Sequence, residues 1–199
     1  MAESLQAFAR ELAACRHCAP HLPHAPRPIF QLPENARIGV FSQAPGNLAH
    51  QGGKPFMDPS GVRLRQWMGV DEAEFYDSGR IAIAPMAFCF PGYDKNGGDL
   101  PPRKECAPLW RERAMAALPR LDLVLLVGSY AQNWHLRRDK KRTLTETVAA
   151  WRDYGPKYVP LPHPSWRNNG WIKKNPWFEA ELAPHVQARV RALLGGPAT

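Results

Sequence analysis

Apolar residues first recur at helical spacing between Ser4 and Cys15. Leu5, Phe8, Ala9 and Leu12 fall on one face there, which predicts a short amphipathic helix. A connector rich in Pro and His runs from residue 19 to residue 33. Beyond it the pattern changes to short continuous apolar runs at 36–41, 81–86 and 121–127, each followed by a segment of helical periodicity. Runs of this length predict strands buried on both faces, as in a parallel sheet. The helices expected after them span 61–68, 103–117 and 129–136. A fourth strand at 158–161 precedes a loop and a last helix at 177–194. Strands alternating with helices predict an α/β fold: one domain over 1–199, with three α/β/α layers around a mainly parallel four-stranded sheet. Such sheets bind ligands at the carboxyl ends of their strands. Three loops of unusual composition leave those ends, at 42–60, 88–102 and 162–176.

Charge adds a partner to this picture. The chain has 26 Lys and Arg against 18 Asp and Glu, a net charge of +8. A basic surface concentrates phosphates and releases counterions, so a nucleic acid is the first partner to consider, with a merely basic enzyme as the alternative. No apolar run approaches the roughly 20 residues that cross a bilayer. The charged N-terminal stretch is unlike a signal peptide, so a cytoplasmic monomer without membrane contact is expected. Thiols stay reduced there, which leaves metal binding or catalysis for the four cysteines.

The loops carry the candidate chemistry. Ser42-Gln43-Ala44-Pro45-Gly46 follows the first strand, and Gly53-Lys54-Pro55-Phe56-Met57-Asp58-Pro59-Ser60-Gly61 leads into a helix. A strand ending in Ala-Pro-Gly turns sharply and exposes backbone N–H groups, which suits a phosphate or a base edge as well as a plain structural turn. Asp58 before Pro59 has the position of a helix N-cap and is also a carboxylate available for chemistry. Cys15 and Cys18 form a C-x2-C pair, and Cys89 and Cys106 lie downstream. Four thiolates suit a [4Fe–4S] cluster or, alternatively, Zn²⁺. His163-Pro164-Ser165-Trp166-Arg167 follows the fourth strand, with Lys173 and Lys174 in the same loop. Arg137, Arg138, Lys140, Lys141 and Arg142 make a second basic stretch.

Taken together, these motifs resemble the uracil-DNA glycosylase superfamily, most closely its family 4, from Cys15 to about Asn169. The first loop is similar to that family's G-E-A-P-G…G-R-P-F motif, and His163-Pro164-Ser165 to its H-P-S motif. The resemblance implies a DNA-repair glycosylase that flips a deaminated base, uracil foremost, and hydrolyses its N-glycosidic bond. Hypoxanthine or xanthine is the alternative base, and a non-catalytic binder of lesions or abasic sites the alternative class. It also implies that Phe56 stacks on the base and that His163 stabilises the departing base anion. Cys15, Cys18, Cys89 and Cys106 would hold a [4Fe–4S] cluster. Trp166 or Arg167 would fill the gap left in the duplex, with Ser165, Lys173 and Lys174 also on DNA. Two departures matter. Gln43 stands where the family has Glu and can hold a water but not take its proton, so Asp58 is the expected water-activating or sugar-stabilising carboxylate. Pro85 stands where the family has a base-reading Asn, so Met86, Ala87, Gln43 or His50 is expected to contact the base edge instead.

Overall fold

The computed structural model describes residues 4–195, so the two ends of the expected 1–199 unit lie outside the described residues. Four strands run parallel in the order β2-β1-β3-β4: β1 is Ile38–Phe41, β2 Ile81–Ile83, β3 Leu123–Val127 and β4 Tyr158–Leu161. Ile38 lies opposite both Ile81 and Leu123, and Val124 lies opposite Tyr158. The expected strand at 81–86 ends early as a strand because Pro85 has no N–H to donate. Pairing resumes around it: Met86 N–H donates to Ser42 O at 2.8 Å and Ala87 N–H to Gln43 O at 2.9 Å.

Side-chain alternation splits the core into two layers, one on each face of the sheet. Ile38, Val40, Leu123, Leu125 and Val127 face α3 (Pro59–Met68) and the C-terminal helix, with Phe178, Leu182 and Val186 filling between them. Phe41, Val124 and Leu126 face the other way, onto α1 (Leu5–Ala13), α5 (Cys106–Ala117) and α6 (Ser129–Leu136). Burial of these strands on both faces explains why they read as continuous apolar runs. Order β2-β1-β3 means that the chain leaves β1 toward one side and later returns to its other side. The carboxyl ends of β1 and β3 therefore flank a crevice.

Four short helices join these: α2 (Asn47–Gly52) in the first loop, α4 (Glu72–Asp77), α7 (Leu144–Ala149) and α8 (Asn169–Lys174). Capping boxes start α4, from Asp71 and Glu74, and α7, from Thr143 and Glu146. The final expected helix is broken into a π-helical turn, Phe178–Leu182, and α9, Ala183–Leu194. Pro184 at the junction has no N–H, and the wider turn accommodates it. Among the described residues no helix is long and apolar enough to cross a membrane.

Candidate active site

Phe56 is held in a conformation that its own backbone disfavours. Its φ is 56°, the left-handed region rarely occupied by a bulky residue. The Tyr76 hydroxyl donates to Pro55 O at 2.7 Å, with Phe56 O 3.1 Å away, and the Phe56 ring meets Phe75 edge-on at 6.3 Å. Burial pushes the Tyr76 hydroxyl above its ordinary pKa, opposed by Arg65, which keeps it a donor. Gly61 completes the turn, because a Cβ there would lie 1.8 Å from Phe56 O. The result is an aromatic ring fixed in the wall of a cavity at the carboxyl ends of β1, β2 and β4. Gln43, Asp58, Asp99 and His163 line the same cavity, and Pro85 forms part of its floor.

His163 lies just beyond β4, separated from it by Pro162. The Ser165 N–H donates to its Nδ1 at 3.2 Å, so the proton of the neutral ring resides on Nε2. Burial lowers its pKa, and the Asp58 carboxylate opposes that shift, so the ring is neutral near pH 7. Nε2–H is thus a donor fixed in the cavity wall. Two bonds hold the loop behind it: Asn168 Nδ2 donates to His163 O at 2.6 Å, and Arg63 Nη1 to Ser165 O at 3.1 Å. Buried Gln132 ties β3 to β4 beneath, donating to Leu126 O and Leu161 O at 3.2 and 2.8 Å. Asp58 has both positions foreseen for it. Its Oδ1 accepts from Gly61 N–H at 3.2 Å as the N-cap of α3, and its side chain borders the cavity beside His163.

Outside this cavity lies a wider cleft, shared by Gln43, Asp58, Asp99 and His163 and extended by Trp166 and Arg167. Ser165 borders it too, its hydroxyl accepting from Arg167 N–H at 3.3 Å. Trp166 is 70% exposed, and Leu48 and Tyr93, from the other two loops, are 51% and 52% exposed on the same rim. Sequence reasoning passed over Leu48, Tyr93 and Asp99, which no local motif marks; only their membership of the three strand-end loops pointed toward them. Lys173 and Lys174 end α8 in exposed positions outside the cleft, Lys173 on the adjoining groove with Arg63. In the second basic stretch Arg137 pairs with Glu112, Lys141 with Asp153 and Arg142 with Glu146, so much of its charge is locally balanced.

Two residues expected to contact the base are not among those lining the inner cavity. Met86 packs in the core layer against Phe41 and Phe88, and its N–H, like that of Ala87, is spent on the sheet. His50 lies away from the cavity, its ring 4.0 Å from that of His24 and 6.0 Å from that of Phe90. The Pro85 carbonyl is also engaged, accepting from buried Arg111, which reaches Ala84 O at 2.9 Å as well. With the β2 end closed off, Gln43 is the residue with a side-chain amide among those that line the inner cavity.

A second cavity lies on the α1–α5 side. Cys15, Cys18, Cys89 and Cys106 all line it, with Leu12, Phe88 and Trp110 as apolar walls and His17 and Arg103 at its border. Burial pushes the Cys89 thiol up to about 12 and that of Cys106 to about 11, and their neighbouring thiols reinforce both shifts. Among the described residues no three His, Cys, Asp or Glu side chains gather closely enough to hold one metal ion.

A family model described as the Uracil DNA glycosylase superfamily matches residues 29–187. Among solved structures the chain is similar to that of a candidate uracil DNA glycosylase from Methanosarcina acetivorans. The two share 15% identity with a TM-score of 0.49, over 83% of this chain and 97% of that one. The family match begins after Cys15 and Cys18, so two of the four thiols of the second cavity lie outside it. It spans all four strands, the Phe56 turn, the Pro85 floor and the His163 loop, and by it the chain belongs to the Uracil DNA glycosylase superfamily.

Proposed function

We propose that this protein is a monofunctional DNA-repair glycosylase that flips a deaminated base, uracil foremost, into the Phe56–His163 cavity and hydrolyses its N-glycosidic bond. Superfamily membership supports glycosylase chemistry and DNA as the partner. The observation that carries the reading is the fixed Nε2–H of a neutral His163 in one wall of a cavity whose other wall is the Phe56 ring.

A base in a duplex is inaccessible to such a cavity, so it must leave the stack. Stacking on Phe56 compensates for about 1–3 kcal/mol of that step. The Gln43 amide can both donate and accept, which matches the N–H and C=O that uracil and hypoxanthine each present side by side. As the C1′–N bond breaks, its electron pair moves onto the base. The His163 Nε2–H stabilises the charge that gathers on the base carbonyl, a donor already aimed before the reaction starts. Asp58, held by its N-cap bond, places negative charge where the sugar becomes positive. Trp166 fills the gap in the stack, and Arg167, Lys173 and Lys174 hold the phosphates.

The second cavity suits a [4Fe–4S] cluster: four thiols with apolar walls offer the donor set, for which Zn²⁺ is the alternative occupant. Such a group would tie α1 to the 88–106 segment and supply structure, with no part in hydrolysis. Purified protein is expected to contain about four irons per chain and to be brown. Stoichiometric zinc without iron would overturn that assignment.

The decisive experiment is incubation with single- and double-stranded oligonucleotides carrying uracil, hypoxanthine or xanthine, with thymine and cytosine as controls. Release of uracil is expected. Tight binding to lesion or abasic DNA without release of any base would make the protein a non-catalytic binder.

A further inference from the structure

Asp99 stands in the cavity although no motif marks it. The segment from Gly92 to Leu100 folds back on itself, with Asp94 N–H donating to Gly98 O at 2.7 Å and Leu100 N–H to Gly92 O at 2.9 Å. The Asp94 carboxylate staples the turn, accepting from Asn96 N–H at 2.8 Å and Gly98 N–H at 2.9 Å. Asp99 is therefore presented by an ordered hairpin, paired across to Tyr93. Its Oδ2 lies 3.6 Å from the point where a Cβ on Gly46 would stand, so the side chain is tucked against the Pro45-Gly46 turn. It borders both the inner cavity, with Asp58 and His163, and the outer cleft, with Arg167. On the glycosylase reading, that boundary is where the sugar of a flipped nucleotide would sit, open to water from the outer cleft.

The two carboxylates differ in what else they do. Asp58 has one oxygen bonded to the first turn of α3. Asp99 has no hydrogen bond or ion pair to its side chain among the described residues, which leaves both oxygens for water. We propose that Asp99 is the general base of the reaction, receiving the proton of the attacking water, while Asp58 serves as fixed charge beside the sugar. This rests on the glycosylase reading above. The base leaves with the electron pair of the C1′–N bond, water forms the C1′–O bond as its proton passes to Asp99, and the base anion takes a proton from solvent. Charged groups from both neighbouring loops act on Asp99, Asp58 from the first and Arg167 from the last, and the neutral, titratable His163 lines the same cavity. Partial burial raises the Asp99 carboxyl above the usual range, with Arg167 opposing and Asp58 reinforcing that shift. A base so placed acts closer to neutral pH.

The test is single-turnover excision across the acidic range. Asp99→Asn is expected to slow excision by about 10²–10⁴-fold, to abolish the acidic limb of the rate profile, and to leave DNA affinity and melting temperature unchanged. Asp58→Asn should move the limb of the remaining activity to lower pH by removing a like charge, and Arg167→Ala should move it to higher pH. A purely structural role would move neither. Wild-type rate in Asp99→Asn, or an unchanged limb, overturns the proposal. Failure of the wild type to excise any base would count against the glycosylase reading instead. Binding then decides the matter for Asp99: a duplex with a cationic pyrrolidine abasic analogue is preferred over one with neutral tetrahydrofuran, Asp99→Asn loses part of that preference, and Asp58→Asn loses the rest. An equal preference in wild type and Asp99→Asn overturns the proposal whatever the activity.

Discussion

Phe56 and His163 are both fixed before any substrate arrives, one by backbone strain and one by a backbone hydrogen bond. The left-handed turn at Phe56 persists because Tyr76, Phe75 and the missing side chain of Gly61 over-determine it. Phe56→Ala is expected to weaken binding of DNA carrying a flipped base by about 1–3 kcal/mol, measured with a non-hydrolysable uracil analogue. No change would remove the ring from the base site. His163→Ala is expected to slow excision about 10²–10³-fold while affinity for undamaged DNA stays the same. A variant that loses both would point to a loop that has collapsed rather than a missing donor.

Elements bring these residues together and also set their sensitivity to acid. On α6, His135 is enclosed between Phe41 and Tyr158, and its Nε2 is buried without a partner among the described residues. Burial, with Arg111 and Arg137 nearby, lowers its pKa to about 3. The unfolded chain protonates this ring near its ordinary value of about 6.5, whereas the folded chain resists until about 3. Its contribution to stability is therefore complete above about pH 6.5 and is lost progressively as pH falls toward the folded value. His135→Gln is expected to flatten the fall of melting temperature over the upper part of that window. A profile parallel to wild type would place the acid sensitivity elsewhere, with His50, His163 and His185, all lowered by burial, as the alternatives.

Charge acts over the full surface, and its distribution is uneven. With Arg137, Lys141 and Arg142 paired to acids, the cleft side retains Arg167, Lys173 and Lys174 as exposed cations around the site. Binding to DNA is expected to weaken steeply with salt, with a log–log slope that falls by about 0.9 for each phosphate contact removed. Arg167→Ala and Lys173→Ala/Lys174→Ala should each flatten the slope, and Arg138→Ala/Lys140→Ala should not. The reverse order would shift the DNA track to the α6–α7 face. The exposed Leu48, Tyr93 and Trp166 on the rim form an apolar collar beside this charge. Trp166→Ala is expected to impair base flipping in duplex more than in single strands, because only the duplex leaves a gap to be filled.

Much of this arrangement was legible in the chain. Continuous apolar runs identified all four strands, β4 to the residue, because burial on both faces leaves no polar position to blur the pattern. The Ala-Pro-Gly and His-Pro-Ser loops announced themselves because turns demand particular residues at fixed spacing. Short helices such as α4 and α7 were missed, since six residues hold too few apolar positions to show a period, although their capping boxes were present. What the chain could not reveal was which side chains converge. Met86 and His50 looked available from their positions beside the strand ends, but sheet hydrogen bonding consumed the N–H of the first and ring packing drew the second away. Asp99 entered the cavity by a hairpin closed with backbone bonds and the Asp94 staple, across more than 40 residues from the Gly46 turn it touches. Local periodicity records the face that a residue presents, whereas contact between distant loops depends on the register of the sheet that carries them, and only the folded chain sets that.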